Sequence, residues 1–190
     1  MKNKAYDLAY LQNGLEELES YLFSDELFFP VMGSPPGQYS SFLKLTLGNL
    51  LLSAQRLSAY EVSGGFTHDE ERQYQKLKRQ MESIQFKWLS CWRKKADQEY
   101  PSRFIQWTHI LNELVKELDK NAPYYVNDVR PRALLTLLSP YTQEDERYDL
   151  KPLDSVLRKI LIPGPFIWGE ELAPGFPEED FWYLYGGFPS

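Results

Sequence analysis

Leu8, Leu11, Leu15, Leu18 and Leu22 recur at alternating spacings of three and four, which puts them on one side of a helix, with Asp7, Glu16, Glu17 and Glu19 off that stripe. Gly14 costs this helix about 1 kcal/mol relative to alanine. After a short turn near Ser24-Asp25-Glu26, Gly33-Ser34-Pro35-Pro36-Gly37 reads as a loop. A second helix is predicted from Ser41 to Tyr60. Leu43, Leu47, Leu50, Ala54 and Leu57 form its stripe, and Phe42, Leu45, Leu51 and Leu52 make it apolar almost all round, as expected of the central helix of a bundle. Gly48 within it predicts a close helix crossing, and Gly64-Gly65 ends the segment.

Thr67-His68-Asp69-Glu70 has the capping-box pattern, a hydroxyl at the cap and a carboxylate three residues on, with Asp69, Glu70 and Glu71 placed where the helix dipole favours anions. From there Tyr74, Leu77, Met81, Ile84, Trp88 and Cys91 carry the helical spacing to about Ala96. Pro101 disfavours helical geometry at Tyr100, so a break is predicted there, with Pro101 opening a fourth helix. Phe104, Trp107, Leu111, Leu114 and Leu118 give that helix its stripe, and the short break predicts an antiparallel hairpin of helices three and four. Beyond Asn121-Ala122-Pro123 the elements shorten. A helix is expected over residues 132–138, a turn or two over 142–148, and a final amphipathic helix over 152–162 with Leu153, Val156, Leu157, Ile160 and Leu161 inward. No convincing run alternates apolar and polar residues.

The texture changes at Pro163. Residues 163–190 hold five prolines, five glycines, eight aromatics, five carboxylates and no lysine or arginine. Proline and glycine at that density oppose regular structure, whereas so many rings oppose a solvated tail.

A chain of 190 residues with 43% hydrophobic and 25% charged side chains is one domain, or one domain with an appendage, long enough to bury a core. A single cysteine, Cys91, excludes a disulfide framework or a multi-cysteine zinc site and fits a reducing, cytoplasmic setting. The basic start Met1-Lys2-Asn3-Lys4 is not followed by an apolar signal segment, and no stretch is apolar enough to span a bilayer. Charge changes the picture more. Between Arg72 and Lys95 lie eight bases and one acid, Glu82, in a chain whose net charge is −6. Such a helix can bind nucleic acid, an acidic protein or the chain's own acidic parts, or simply face water. The overall pI of about 5.1 counts against nucleic acid.

Candidate chemistry is sparse. His68 has only Glu71 at helical reach, and His109 has Glu113. A helical di-metal site needs two Glu-x-x-His units, which neither histidine supplies. Nucleophile elbows and phosphate loops are absent, and Cys91 falls on an apolar stripe, where a thiol is usually a small core residue.

These readings add up to an all-α fold, an antiparallel bundle of about four main helices plus short C-terminal helices over residues 1–162. An irregular, acidic, aromatic segment over 163–190 is expected to pack on the bundle or on a partner. The expected function is a non-catalytic protein-interaction or scaffold module, without cofactor, metal or catalytic residues, binding an unknown protein or a second copy of itself. The candidate contact residues are Arg72, Lys76, Arg79, Lys87, Trp92, Arg93, Lys94 and Lys95 on the basic helix, and Phe181, Trp182 and Tyr185 in the last segment. The alternatives are a nucleic-acid-associated protein using residues 72–95, and a ligand-binding protein or enzyme with a pocket lined by Trp88, Trp92 and Trp107.

Overall fold

The computed structural model describes residues 3–143 and 145–188. Met1 and Lys2, Glu144 in the expected 142–148 turn, and Pro189 and Ser190 of the last segment lie outside the described residues. Helix α1 spans Lys4–Phe23 and starts where the Asn3 side chain accepts from the Tyr6 N–H. The five leucines of its stripe are buried, and Tyr6, Tyr10 and Tyr21 widen the inward face. Asp7, expected off the stripe, is buried too.

Helix α2, Leu47–Val62, starts six residues later than its apolar pattern predicted. The residues before it are extended, because Leu45 pairs with Phe29 across two backbone hydrogen bonds of 3.0 and 2.7 Å. Thr46 then caps the helix by accepting from the Asn49 N–H. Gly48 marks a close approach of a side chain rather than of a helix: its N–H donates to Glu99 Oε2 at 2.8 Å, and a Cβ there would lie 2.9 Å from Glu99 Oε1.

Helix α3, His68–Lys87, opens on the expected capping box of Thr67 and Glu70. Lys4 Nζ adds a bond of 2.8 Å to the same Glu70 carboxylate. The break before α4, Leu89–Lys116, falls at Trp88 (φ −120°, ψ 35°) and not at Tyr100, so the predicted hairpin at Pro101 does not form. The indole N–H of Trp88 donates to Glu19 Oε1 at 3.1 Å, and its ring meets Phe23 edge-on. Pro101 lies inside α4, where it removes one helical hydrogen bond at a cost of about 3 kcal/mol. Trp92 and Ala96 before it and Trp107, Leu111 and Leu114 after it are all buried on α4, and burial at about 1.5–3 kcal/mol per large apolar side chain outweighs that loss.

The chain then makes α5 (Leu118–Asn121), α6 (Tyr125–Asp128), α7 (Arg130–Leu138) and α8 (Lys151–Ile160), with 3-10 turns between. In α8 Leu157 is fully buried, but Val156, expected inward, is 38% exposed. The last segment is more regular than its composition suggested. Strand β1, Ile162–Phe166, pairs antiparallel with β2, Tyr185–Gly187, and between them lie a 3-10 turn over Glu170–Gly175, helix α9 (Glu178–Phe181) and a second 3-10 turn.

The fold is all-α with helical packing around two apolar cores that share α2. The first joins α1, α2, α3 and the start of α4. The second joins Leu52 and Ala59 of α2 to the end of α4, to α7 and to Trp168, Leu172, Phe176, Phe181, Tyr183 and Leu184. Among the described residues no helix is long and apolar enough to cross a membrane.

Candidate ligand cleft

A cleft of about 410 Å³ opens between α1, α2, the α6–α7 junction and the last segment. Helix α1 supplies Tyr6 and Asp7, α2 supplies Leu52, Ser53 and Arg56, and the extended loop supplies Gln38, Tyr39 and Leu43. Val126, Asn127, Arg130 and Trp168 complete it. Leu52, Ser53 and Arg56 are spaced by one, three and four residues, so one face of α2 presents all three.

Arg56 Nε lies 3.2 Å from Asp7 Oδ2, with both side chains buried, and Ser53 Oγ donates to Asp7 Oδ1 at 3.2 Å. The Tyr6 hydroxyl accepts from the Leu43 N–H at 2.9 Å, and its ring meets Tyr39 edge-on. The Trp168 indole N–H donates to Val126 O at 2.7 Å, so it adds carbon surface rather than a donor.

Arg130 differs from its neighbours. Its Nη2 donates to Asn49 Oδ1 at 2.9 Å, and among the described residues it forms no ion pair. Arg103 nearby is matched by the buried Glu99, at 2.7 Å, as Arg56 is matched by Asp7. Burial, with the positive charges of Arg103 and Arg56, pulls the Arg130 guanidinium below its ordinary pKa. Among the described residues Arg56 and Arg103 each have a carboxylate and Arg130, which lines the cleft, has none.

The residues singled out by the charge pattern go elsewhere. Arg72, Lys76 and Arg79 are exposed on α3, spaced by four and three residues on one stripe with Phe86, which is 87% exposed. Arg72 pairs with Asp69, Lys87 with Glu19 and Lys94 with Asp25, while Arg93 is exposed. Trp92 and Lys95 do not face a partner, since both are fully buried. Lys95 Nζ donates to Ser24 O and Glu26 O at 2.9 and 2.7 Å and lies 4.3 Å from the centre of the Tyr21 ring. Phe181 is core, and Trp182 and Tyr185 are half-buried against it; the Tyr185 hydroxyl donates to Phe176 O. The last segment's acids do not reach the basic helix: among the described residues none of Glu170, Glu171, Glu178, Glu179 and Asp180 forms an ion pair.

The expected tryptophan pocket is absent as drawn, because Trp92 and Trp107 are fully buried in separate cores and Trp88 packs on Phe23. His109 and Glu113 line a smaller cleft of about 120 Å³ with Asp128, whose carboxyl burial pushes above its usual range. Among the described residues no group of three or more histidine, cysteine or acidic side chains is placed to hold a metal.

Sequence reasoning missed the cleft, although α2 carried a signal. Arg56 is the single basic residue of α2 and lies between the stripe residues Ala54 and Leu57, where a charge needs a buried partner. Comparison with protein-family models, with curated proteins and with solved structures finds no match to this chain.

Proposed function

We propose that the protein is a non-catalytic binding module whose cleft takes a small anionic ligand. The observation that carries this reading is Arg130, a partly buried guanidinium lining a concave site with no carboxylate partner among the described residues. A buried charge is costly unless paired, and a ligand that supplies the missing anion removes that cost. The cleft volume sits at the lower end of the range of about 300–1,000 Å³ usual for small-molecule sites. Binding is favoured over catalysis because Asp7, the acid beside Ser53, is held by Arg56, and both histidines lie outside the cleft. The test is thermal shift and calorimetry with a panel of small organic and inorganic anions. Saturable one-to-one binding to the intact chain supports the reading, and no binding across the panel rejects it.

A second reading is a protein-interaction module that docks an acidic partner, or a second copy, on α3. What favours it is the stripe of Arg72, Lys76 and Arg79 ending at the exposed ring of Phe86, since a large exposed ring beside like charges suits an interface. Salt-sensitive nucleic-acid binding, lost on replacing Lys76 and Arg79 by Gln, would assign the stripe to phosphates instead. The single Cys91 fits a reducing, cytoplasmic location under either reading.

A further inference from the structure

We infer that the cleft selects a monocarboxylate carried on an apolar or aromatic body, and rejects phosphates and amino acids. This rests on the reading of the cleft as an anion site and narrows it by charge, donor geometry and wall chemistry.

Charge sets the valence. Among the described residues Asp7 pairs with Arg56 and the adjoining Glu99 with Arg103, and Arg130 has no carboxylate. One negative charge matches the Arg130 cation. A phosphate monoester near neutrality carries between one and two, so it brings excess negative charge next to the buried Asp7 carboxylate, where poor hydration makes like-charge contact expensive.

Donor geometry suits an anion with two oxygens side by side, and charge then separates a carboxylate from a phosphate. Of the N–H groups of Arg130, only one on Nη2 meets an acceptor among the described residues, Asn49 Oδ1. Its other N–H groups can donate to two oxygens side by side, as a carboxylate presents them. Asn49 is itself held, its Nδ2 donating to Lys44 O at 3.0 Å, so the guanidinium is braced from behind by a fixed amide.

The walls decide the rest of the molecule. Tyr6, Tyr39, Leu43, Leu52 and Trp168 surround the charged end. The Tyr6 hydroxyl and the Trp168 N–H already have protein partners, so these two residues offer the ligand chiefly their ring faces. Among the described lining residues Asp7 is the one acid, and its carboxylate already meets Ser53 and Arg56, so an ammonium group would lie among guanidinium groups. An α-amino acid therefore loses against the same acid without its amine.

The experiment compares four probes on the full chain at neutral pH by calorimetry: 3-phenylpropanoate, phenylalanine, phenyl phosphate and inorganic phosphate. Saturable binding of 3-phenylpropanoate is expected, with each of the others weaker by at least about tenfold. Arg130→Gln should weaken it by a similar factor, and Arg130→Lys, which keeps the charge but loses the fork, should fall between. The remote exposed change Lys120→Gln should have no effect. Circular dichroism confirms that each variant is folded, and Arg130→Lys carries the test if Arg130→Gln does not fold. If the phosphates bind as tightly as the carboxylate and still need Arg130, the selectivity is wrong while the anion site stands. Equal binding of phenylalanine has the same meaning. If none of the probes binds, or if binding is indifferent to both Arg130 variants, the anion site falls as well.

Discussion

A Cβ built on Gly175 would lie 2.6 Å from the Cβ of Ala59, with Gln55 O only 2.9 Å away. The last segment thus meets α2 almost backbone to backbone, and the Gln55 side-chain amide donates to Gly175 O across the contact. Because the obstructing atoms include helix backbone, they cannot swing aside. Gly175→Ala should therefore cost about 1–3 kcal/mol, as overpacking does. Urea denaturation gives the stability, and limited proteolysis should cut more readily within residues 163–188. Unchanged stability with an equally protected segment would show that this approach is looser than described.

Arg132 on α7 forms two hydrogen bonds with Asp154 on α8, at 2.9 and 2.8 Å, and its guanidinium lies 4.5 Å from the centre of the Tyr183 ring. Asp154→Ala should destabilise by about 3 kcal/mol, because it strands a buried cation. Arg132→Met with Asp154→Leu should recover most of that loss, since replacing both charges leaves none unpaired. A double variant as unstable as the single would mean that the pair itself supplies the stability.

The buried ammonium of Lys95 closes the turn after α1 by donating to Ser24 O and Glu26 O, and burial pulls its pKa below the ordinary lysine value. Lys95→Met keeps the stem and removes the donors, leaving two carbonyls to find water. It should cost about 1–3 kcal/mol and expose residues 24–30 to proteases. Retained protection of that turn would argue that its own packing suffices.

Burial holds Tyr10, Tyr21, Tyr125 and Tyr183 protonated well above the usual tyrosine range, and pushes Tyr74 up to about 12. In the unfolded chain a tyrosine loses its proton near pH ~10. A folded pKa raised above the unfolded one stabilises fully below that pH, and the contribution is lost as pH rises toward the folded value. Alkaline unfolding should therefore begin above about pH 10, and tyrosinate absorbance from these five rings should rise only with the loss of helical circular dichroism. Complete titration of all tyrosines with the helical signal intact would contradict their burial.

Pro101→Ala should stabilise the chain by up to about 3 kcal/mol, because α4 is helical on both sides and alanine restores a hydrogen bond without disturbing the buried face. Thermal melting measures it. A lower melting temperature would indicate that α4 uses a distortion at this point.

The periodic leucines made α1 legible, since a helix that buries one face shows it locally, and the Thr67–Glu70 cap was legible because its bonds lie within four residues. What escaped depends on distant partners. The apolar run from Phe42 to Leu45 looks helical until Phe29 pairs with Leu45. Pro101 looks like a break until the tryptophans on either side are both buried. The helix breaks at Trp88 instead, where the indole is engaged by Glu19, a residue on α1 that no local pattern connects to it. The last segment's rings announced burial, but its strand pairing joins Ile162 to Gly187, and its seat is on α2 and α7 rather than on the basic helix. The cleft was least legible of all: Asp7, Arg56, Arg130 and Trp168 lie far apart in sequence and meet only through the packing of α1, α2, α7 and the last segment.

The two cores also differ in when they become available to a growing chain. The first is composed of residues 6–141, so it is complete in composition before β1 is made. The second needs Trp168, Leu172, Phe176, Phe181, Tyr183 and Leu184. At roughly 5–20 residues per second of synthesis, the α2 and α7 residues of this second core are made on the order of seconds before their cover. Until the ring-rich segment arrives those apolar side chains lack their cover, the kind of transient exposure that makes an unfinished chain prone to aggregate.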